Sequence, residues 1–174
     1  MCKLFKHFLA MAMIMLLVSC GPRITYYPES TFEIRDNATF NVLKVNNRSK
    51  YVYHPEDKST FDIEARMAQA MNDALSKKNV LSENPDYQLV INITRYELGN
   101  PSLEILTGGH MPELWAQVNI YNEKNMLIGT IQSTNNRGRG GIGGWNRIFD
   151  LVAEAFVENL IDSSTRKSNI TLGR

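Results

Sequence analysis

Two stretches of the chain alternate between apolar and polar residues, and this pattern constrains the fold more than any other feature. The stretches are 87–96 and 114–121, and a further strand is predicted at 126–134. In the first of them, Leu89, Ile91 and Ile93 fall on one face. A period of two residues is typical of strands that bury one face of a sheet and leave the other open. The polar residues 122–125 predict a tight hairpin loop between the last two strands.

Two other stretches repeat apolar residues at spacings of three and four, which is the period of an amphipathic helix. The apolar positions are Ile63, Met67, Ala70, Met71, Ala74 and Leu75 in the first stretch, and Ile148, Phe149, Val152, Ala155, Phe156 and Leu160 in the second. A run at 38–45 predicts one more strand before the first helix. The order is therefore β-α-β-β-β-α. It predicts the α+β fold class, with a mainly antiparallel sheet and both helices packed on one face.

The N-terminal segment has the organisation of a secretory signal. Lys3 and Lys6 form a basic head, and an apolar stretch of about eleven residues follows before the small residue Ser19. A helix that crosses the hydrocarbon core of a bilayer needs roughly 20 apolar residues, so this stretch is too short to span it.

The end of this segment, Leu17-Val18-Ser19-Cys20, resembles the lipobox of bacterial lipoproteins. The resemblance implies cleavage before Cys20, a diacylglycerol on its thiol and an acyl chain on its amine. It also implies a membrane partner through this lipid and a domain that faces the periplasm. Gly21, which follows the cysteine, resembles the pattern of lipoproteins sorted to the outer membrane, with the inner membrane as the alternative. Two other interpretations remain open, an ordinary cleaved signal peptide and an uncleaved anchor helix.

The chain is long enough for a single domain after removal of the signal. The predicted organisation is a signal peptide at 1–19, the lipidated cysteine and a tether at 20–37, one α+β domain at 38–161 and a polar tail at 162–174. Pro22 and Pro28 interrupt the tether. As an alternative, the stretch 31–35 begins a first strand.

Charge and cysteine content exclude some classes of partner. Without Lys3 and Lys6, the chain keeps 17 basic and 18 acidic residues. This balance argues against nucleic acid as a partner and against a polybasic attachment to anionic lipid. Since Cys2 leaves with the signal and Cys20 carries the lipid, no thiol remains for a disulfide.

The order of elements supports a second resemblance. In three features the chain is similar to uncharacterised envelope lipoproteins with small βαβββα domains. These features are the lead of Pro85-Asp86-Tyr87 into a strand, the hairpin that follows, and the glycine-rich entry into the last helix. This resemblance implies an envelope protein as partner. The order also resembles, more weakly, the lipopolysaccharide-assembly lipoprotein LptE, which plugs an outer-membrane barrel. The segment 21–24 lacks the aromatic residue that often follows Cys-Gly in that family.

Two segments carry candidate partner-binding residues. Arg137 and Arg139 belong to the glycine-rich stretch 137–144, where backbone amides before a helix could meet a phosphate or carboxylate. The stretch lacks the Gly-Lys-Ser/Thr ending of a nucleotide P-loop, and a flexible connection is the alternative interpretation.

The connection 99–112 is longer than usual hairpin loops of roughly 2–5 residues. Its apolar residues Leu103, Ile105 and Leu106 predict a contact surface for a protein or lipid. The alternative is that these side chains fold back onto the core.

No catalytic motif, cofactor motif or metal-ligand spacing is present, and His54 and His110 are isolated. The sequence therefore predicts a binding or assembly module of the cell envelope rather than an enzyme, with an unrecognised envelope hydrolase as an alternative. Tyr96, Trp115 and Tyr121 could form an aromatic row on the open face of the sheet, where a sugar or another flat ligand could stack. Aromatic residues are also common in strands, and we take this simpler interpretation for the three residues.

Overall fold

The computed structural model describes residues 23–28, 34–52, 54, 61–97, 112–137 and 144–165. These form five strands and two helices: β1 (Arg23–Pro28), β2 (Phe40–Asn47), α1 (Ile63–Lys77), β3 (Tyr87–Glu97), β4 (Glu113–Asn122), β5 (Leu127–Arg137) and α2 (Gly144–Thr165). The predicted β-α-β-β-β-α order and the α+β class are confirmed from β2 onward. One further strand precedes them.

The strands form one sheet in the order β1-β5-β4-β3-β2. Only the β2–β3 pair is parallel, because α1 connects these two strands, and the other three pairs are antiparallel. The sheet is therefore mainly antiparallel, as predicted.

One face of the sheet is buried under both helices, as the alternation predicted. Leu89, Ile91 and Ile93 of β3 are fully buried and lie beside Val118 and Ile120 of β4. Side chains from both helices complete this core, among them Met67, Met71, Leu75, Val152, Phe156 and Leu160. The helix α1 ends where Asn79 takes a positive φ of 58°, a conformation that asparagine tolerates after a helix.

The predicted tether at 20–37 is wrong at residues 23–28 and at Ile34, while residues 20–22 and 29–33 lie outside the described part of the chain. Residues Arg23–Pro28 form β1, an edge strand paired with β5, and Ile34 is buried in the core. Proline is tolerated at an edge because its missing N–H costs no ladder hydrogen bond there. Thus Pro28 ends a strand that the sequence alone did not reveal.

The predicted boundary of the polar tail is also too early, because α2 continues to Thr165. Ser163 extends the helical bonding by donating its hydroxyl to the carbonyl of Asn159 at 2.6 Å. None of the described helices is both long and apolar enough to cross a membrane.

The two ends of the domain differ in the elements that meet there. At one end, here called the loop end, β2, β3 and β5 finish while β1, β4 and both helices begin. At the opposite end, the hairpin end, the turn 123–126 joins β4 to β5, and α1 finishes. The candidate site lies at the loop end.

Candidate functional site

Most of the predicted site residues lie outside the described part of the chain. These are Cys20, Leu103, Ile105, Leu106 and Arg139, with His110. Arg137 is the last residue of β5, and its Cα partner across the sheet is Glu113 of β4. The structure therefore places one predicted residue directly at the loop end, in register with an acidic residue.

A charged cluster on the open face of the sheet surrounds this position, and we name it the Arg95 cluster. Arg95 lies 2.8 Å from Glu97 and 3.2 Å from Glu113, measured from its guanidinium to their carboxylates. Its guanidinium also stacks over the ring of Trp115, 5.0 Å from the centroid. The indole N–H of Trp115 donates to Glu113 at 3.0 Å. These four side chains form one connected network.

A β-bulge in β3 creates this arrangement. The register between β3 and β4 shifts between Ile93 and Arg95, so Thr94 is an extra residue in the ladder. The shift turns Arg95 to the open face and Tyr96 to the core. Strict alternation from Leu89 onward would place both residues on the opposite faces.

The row of three aromatic residues considered from the sequence therefore does not form. Tyr96 is 5% exposed and belongs to the core, on the opposite face from Trp115 and Tyr121. These last two are six residues apart along β4, which corresponds to roughly 20 Å. They do not form a continuous stacking platform.

The core side of the loop end carries an aromatic cluster of Tyr51, Phe61, Tyr96 and Phe149. Tyr51 meets Tyr96 edge-on, with centroids 5.0 Å apart, and Phe149 lies 5.4 Å from Tyr96. The hydroxyl of Tyr51 accepts from the backbone N–H of Phe61 at 2.9 Å. This bond holds the backbone in place just before α1. The next residue, Asp62, caps the helix, because its carboxylate accepts from the N–H of Ala65.

The hydroxyl of Tyr96 has no hydrogen-bond partner among the described residues, although it is buried. Burial raises the pKa of Tyr96 well above its ordinary value, with a smaller contribution from Tyr51. The hydroxyl of Tyr96 therefore keeps its proton to a higher pH than an exposed tyrosine does.

A groove of about 550 Å³ runs between the two helices. Arg66 crosses it to Asp150 at 2.5 Å, and Lys77 crosses it to Glu154 at 2.8 Å. Since each of these cations already pairs with an acid of the other helix, the groove offers little unbalanced charge to a ligand.

The rest of the open face is held together by its own amide groups. Asn46 donates to Asn92 at 3.1 Å, and Gln117 and Thr130 both donate to Asn119, at 2.9 and 3.2 Å. A ligand on this face would have to compete with these bonds.

Among the described residues, no group of three or more histidine, cysteine, aspartate or glutamate side chains could hold a metal ion. His54 is exposed. What the loop end assembles is a set of groups suited to binding, namely charged side chains, an accessible guanidinium on an indole and two helix N-termini.

Sequence reasoning missed Arg95, Glu97 and Glu113. Glu113 follows Pro112, where the loop was predicted to end, and only its cross-strand pairing makes it a partner of Arg95. No local signal identifies the set.

No family model matches the sequence, and no curated protein is similar enough to match it. Among solved structures, the fold is similar to PelC from Paraburkholderia phytofirmans, a dodecamer. A single-substitution variant of PelC gives a TM-score of 0.55 at 10% identity over 83% of this chain and all of the other. A second PelC dodecamer gives 0.54 at 11% identity, over 79% of this chain and 97% of the other.

Protein XCC0632 from Xanthomonas campestris, of the family DUF330, gives a TM-score of 0.50 at 10% identity. The match covers 86% of this chain and 98% of that protein. At such low identity these similarities show the fold alone. They identify the architecture as one shared with PelC over its whole length.

Proposed function

We propose that this chain is a lipid-anchored, periplasm-facing module of the bacterial cell envelope that acts by binding and assembly rather than by catalysis. The observation that carries the proposal is the similarity to PelC, whose full chain is matched and which is a dodecamer. The lipobox-like residues before Cys20 supply the anchor. Assembly of several copies is the part that the PelC similarity adds to the sequence-based prediction.

Attachment is tested by the intact mass of protein extracted from bacterial membranes. We expect Cys20 as the N-terminal residue, with three acyl chains, and release of the Cys20→Ser variant into the soluble fraction. An N-terminus elsewhere, or unchanged membrane association of the variant, would contradict the anchor.

Assembly is tested on the Cys20→Ser protein by size-exclusion chromatography with light scattering. We expect a mass that is a multiple of the chain mass and that falls on dilution to the monomer. A monomer at every concentration would remove self-assembly from the proposal and leave the anchor untouched.

For a protein partner, we propose Leu103, Ile105 and Leu106 as the principal contacts, with Arg137 and Arg139 as salt-sensitive secondary contacts. Buried apolar area contributes about 25 cal/mol for each Å², whereas exposed arginines contribute little until they are desolvated. Changing the three apolar residues to serine should abolish capture of a crosslinked envelope partner without lowering the melting temperature. Met126→Ser, an exposed apolar residue at the hairpin end, is the control. A large fall in melting temperature would show instead that the three residues belong to the core.

A further inference from the structure

We propose that the loop end of the domain rests on the surface of the lipid bilayer, with Arg48, Lys50 and Arg147 against anionic headgroups and the hairpin end pointing away. This orientation rests on the proposed anchor at Cys20. It replaces the expectation of a domain held off the membrane by a long tether.

The chain between the anchor and the sheet is short. β1 begins at Arg23, whose Cα partner is Thr134, close to the end of β5. Only three residue steps separate Cys20 from Arg23, and a fully extended chain covers ~11 Å in three steps. The hairpin end, at Leu127, lies seven residues down β5 from Thr134, which is roughly 24 Å. A lipid on Cys20 is therefore attached to the domain at the loop end.

Charge is segregated between the two ends of the domain, although the total charge is balanced. Among described residues, the loop end carries seven basic residues (Arg23, Arg48, Lys50, Arg66, Arg95, Arg137 and Arg147) and five acidic ones (Asp62, Glu64, Glu97, Glu113 and Asp150). The hairpin end carries four basic residues (Arg35, Lys77, Lys78 and Lys124) and eight acidic ones (Asp36, Asp73, Glu83, Asp86, Glu123, Glu154, Glu158 and Asp162). Lys44 lies in the middle of β2 and is counted at neither end. An anionic surface attracts the first end and repels the second.

The exposed cations at the two ends also differ in their partners. Arg48, Lys50 and Arg147 are exposed and form no ion pair within the described part of the chain. At the hairpin end, Lys77 and Lys78 pair with acids of α2. The loop end thus keeps cations available for an external anion.

The first turn of α2 also has a charge that an external anion would stabilise. It holds Arg147 and no acidic residue, although the positive end of a helix dipole disfavours a cation there. Such a placement is unfavourable unless an anion is nearby. Headgroup phosphates would remove this cost, since the N-termini of both helices lie at this end.

Both tryptophans of the chain, Trp115 and Trp145, are placed at the loop end, near the start of β4 and in the first turn of α2. Tryptophan is enriched at the interface between membrane and water. This position also supplies an intrinsic probe.

The orientation is tested with lipidated protein in vesicles of phosphatidylethanolamine and phosphatidylglycerol at about three to one, a composition that gives an anionic surface. Lys50→Cys and Lys124→Cys, both at exposed lysines, place the same fluorophore at the two ends. We expect quenching by headgroup nitroxide lipids to be several-fold stronger at position 50. Equal quenching would mean that the domain lies on its side. Stronger quenching at position 124 would mean that the hairpin end faces the bilayer. Either result overturns the proposal.

A second experiment does not depend on lipidation. The Cys20→Ser domain is titrated with the same vesicles, and tryptophan emission reports binding. Arg48→Gln with Lys50→Gln should weaken binding about thirtyfold, since each basic group near an anionic surface contributes ~1 kcal/mol. Lys78→Gln with Lys124→Gln removes the same charge from the hairpin end and should not weaken binding. Equal effects of the two pairs would contradict a specific face.

The two experiments separate this inference from the proposed function. If the intact mass shows no acylation while the unlipidated domain still binds through the loop end, the proposed anchor is wrong. The proposal that the loop end binds the lipid surface then still stands. If the mass confirms acylation but the labels show no preference, or a preference for the hairpin end, the anchor stands and the orientation is wrong. Binding of an envelope protein to the loop end in place of vesicles would overturn the choice of partner.

Discussion

The loop end and the hairpin end use the same five strands and two helices but differ in how many exposed cations have an acidic partner. At the hairpin end, Tyr87 and Asp86 have hydrogen-bond partners and the lysines of α1 have acidic partners. At the loop end, Arg48 and Lys50 form no ion pair within the described part of the chain, and Arg147 opposes the helix dipole. Local conflicts of this kind are expected where a surface serves binding rather than stability. Buried polar atoms without a partner among the described residues occur toward both ends, namely the hydroxyl of Tyr96 and the amide oxygens of Asn72 and Asn159.

The largest expected effect is at the aromatic cluster of the loop end. Phe149 is fully buried and contacts Phe61 and Tyr96. Phe149→Ala should lower the free energy of unfolding by about 3–5 kcal/mol, because it leaves a cavity beneath both rings. Urea unfolding followed by circular dichroism measures the change.

The control for this substitution is Leu151→Ala, two residues along the same helix, where the side chain is 36% exposed. It should cost less than about 1 kcal/mol. Equal losses from the two substitutions would mean that the loop end has no tightly packed core.

A matched pair of tyrosines compares the two ends directly. The backbone N–H of Arg35 donates to the Tyr87 hydroxyl at 3.2 Å, so Tyr87→Phe should cost about 0.5–1.5 kcal/mol. Tyr96→Phe should leave stability unchanged or raise it, because it removes a buried hydroxyl without a partner among the described residues. A loss of more than ~1 kcal/mol for Tyr96→Phe would show that a residue outside the described ranges bonds this hydroxyl.

The same tyrosine predicts a dependence on alkaline pH. The unfolded chain releases the tyrosine proton near its ordinary pKa of about 10, whereas burial raises the pKa of folded Tyr96 above this value. The folded state therefore binds more protons above this pH, and stability falls as pH rises. Tyr96→Phe should remove this part of the fall, which denaturant titrations on either side of about pH 10 would detect.

The hairpin end should be sensitive to acid instead. The N–H and hydroxyl of Thr39 donate to Asp86 at 2.8 and 2.9 Å. These bonds, with a smaller contribution from Arg35, lower the pKa of Asp86 below its ordinary 3.8. Its stabilisation is thus present above that pH and is lost as pH falls through the lowered pKa.

Asp86→Asn should cost about 1 kcal/mol at neutral pH and flatten the loss of stability below about pH 4, in denaturant titrations. The neighbouring Asp36→Asn, at an exposed position, is the control. An unchanged acid profile in Asp86→Asn would assign the acid sensitivity to other carboxylates.

The smallest expected effects distinguish the two ion pairs that cross the helix groove. The Arg66 side chain is 18% exposed and also lies over the Phe149 ring, whereas the Lys77 side chain is 69% exposed. A double-mutant cycle should give a coupling energy of up to ~1 kcal/mol for Arg66 with Asp150. Lys77 with Glu154 should give no measurable coupling, and an equal coupling at both pairs would remove this difference between the ends.

The sequence by itself determined the periodic part of this protein. Alternation at Leu89, Ile91 and Ile93, and the three- and four-residue spacing from Ile63 to Leu75, depend only on which side chains share a face. These patterns are local, so the class, the order of elements and most of the core followed from them.

Only the tertiary structure decided the pairing of β1, the bulge at Thr94 and the separation of charge between the two ends. The pairing of β1 joins residues more than one hundred positions apart, and the bulge at Thr94 is stabilised by a partner strand. The separation of charge depends on which strands and helices begin and finish at each end of the domain. Each is a property of distant segments brought together, and a local period contains no information about which distant segment becomes the neighbour.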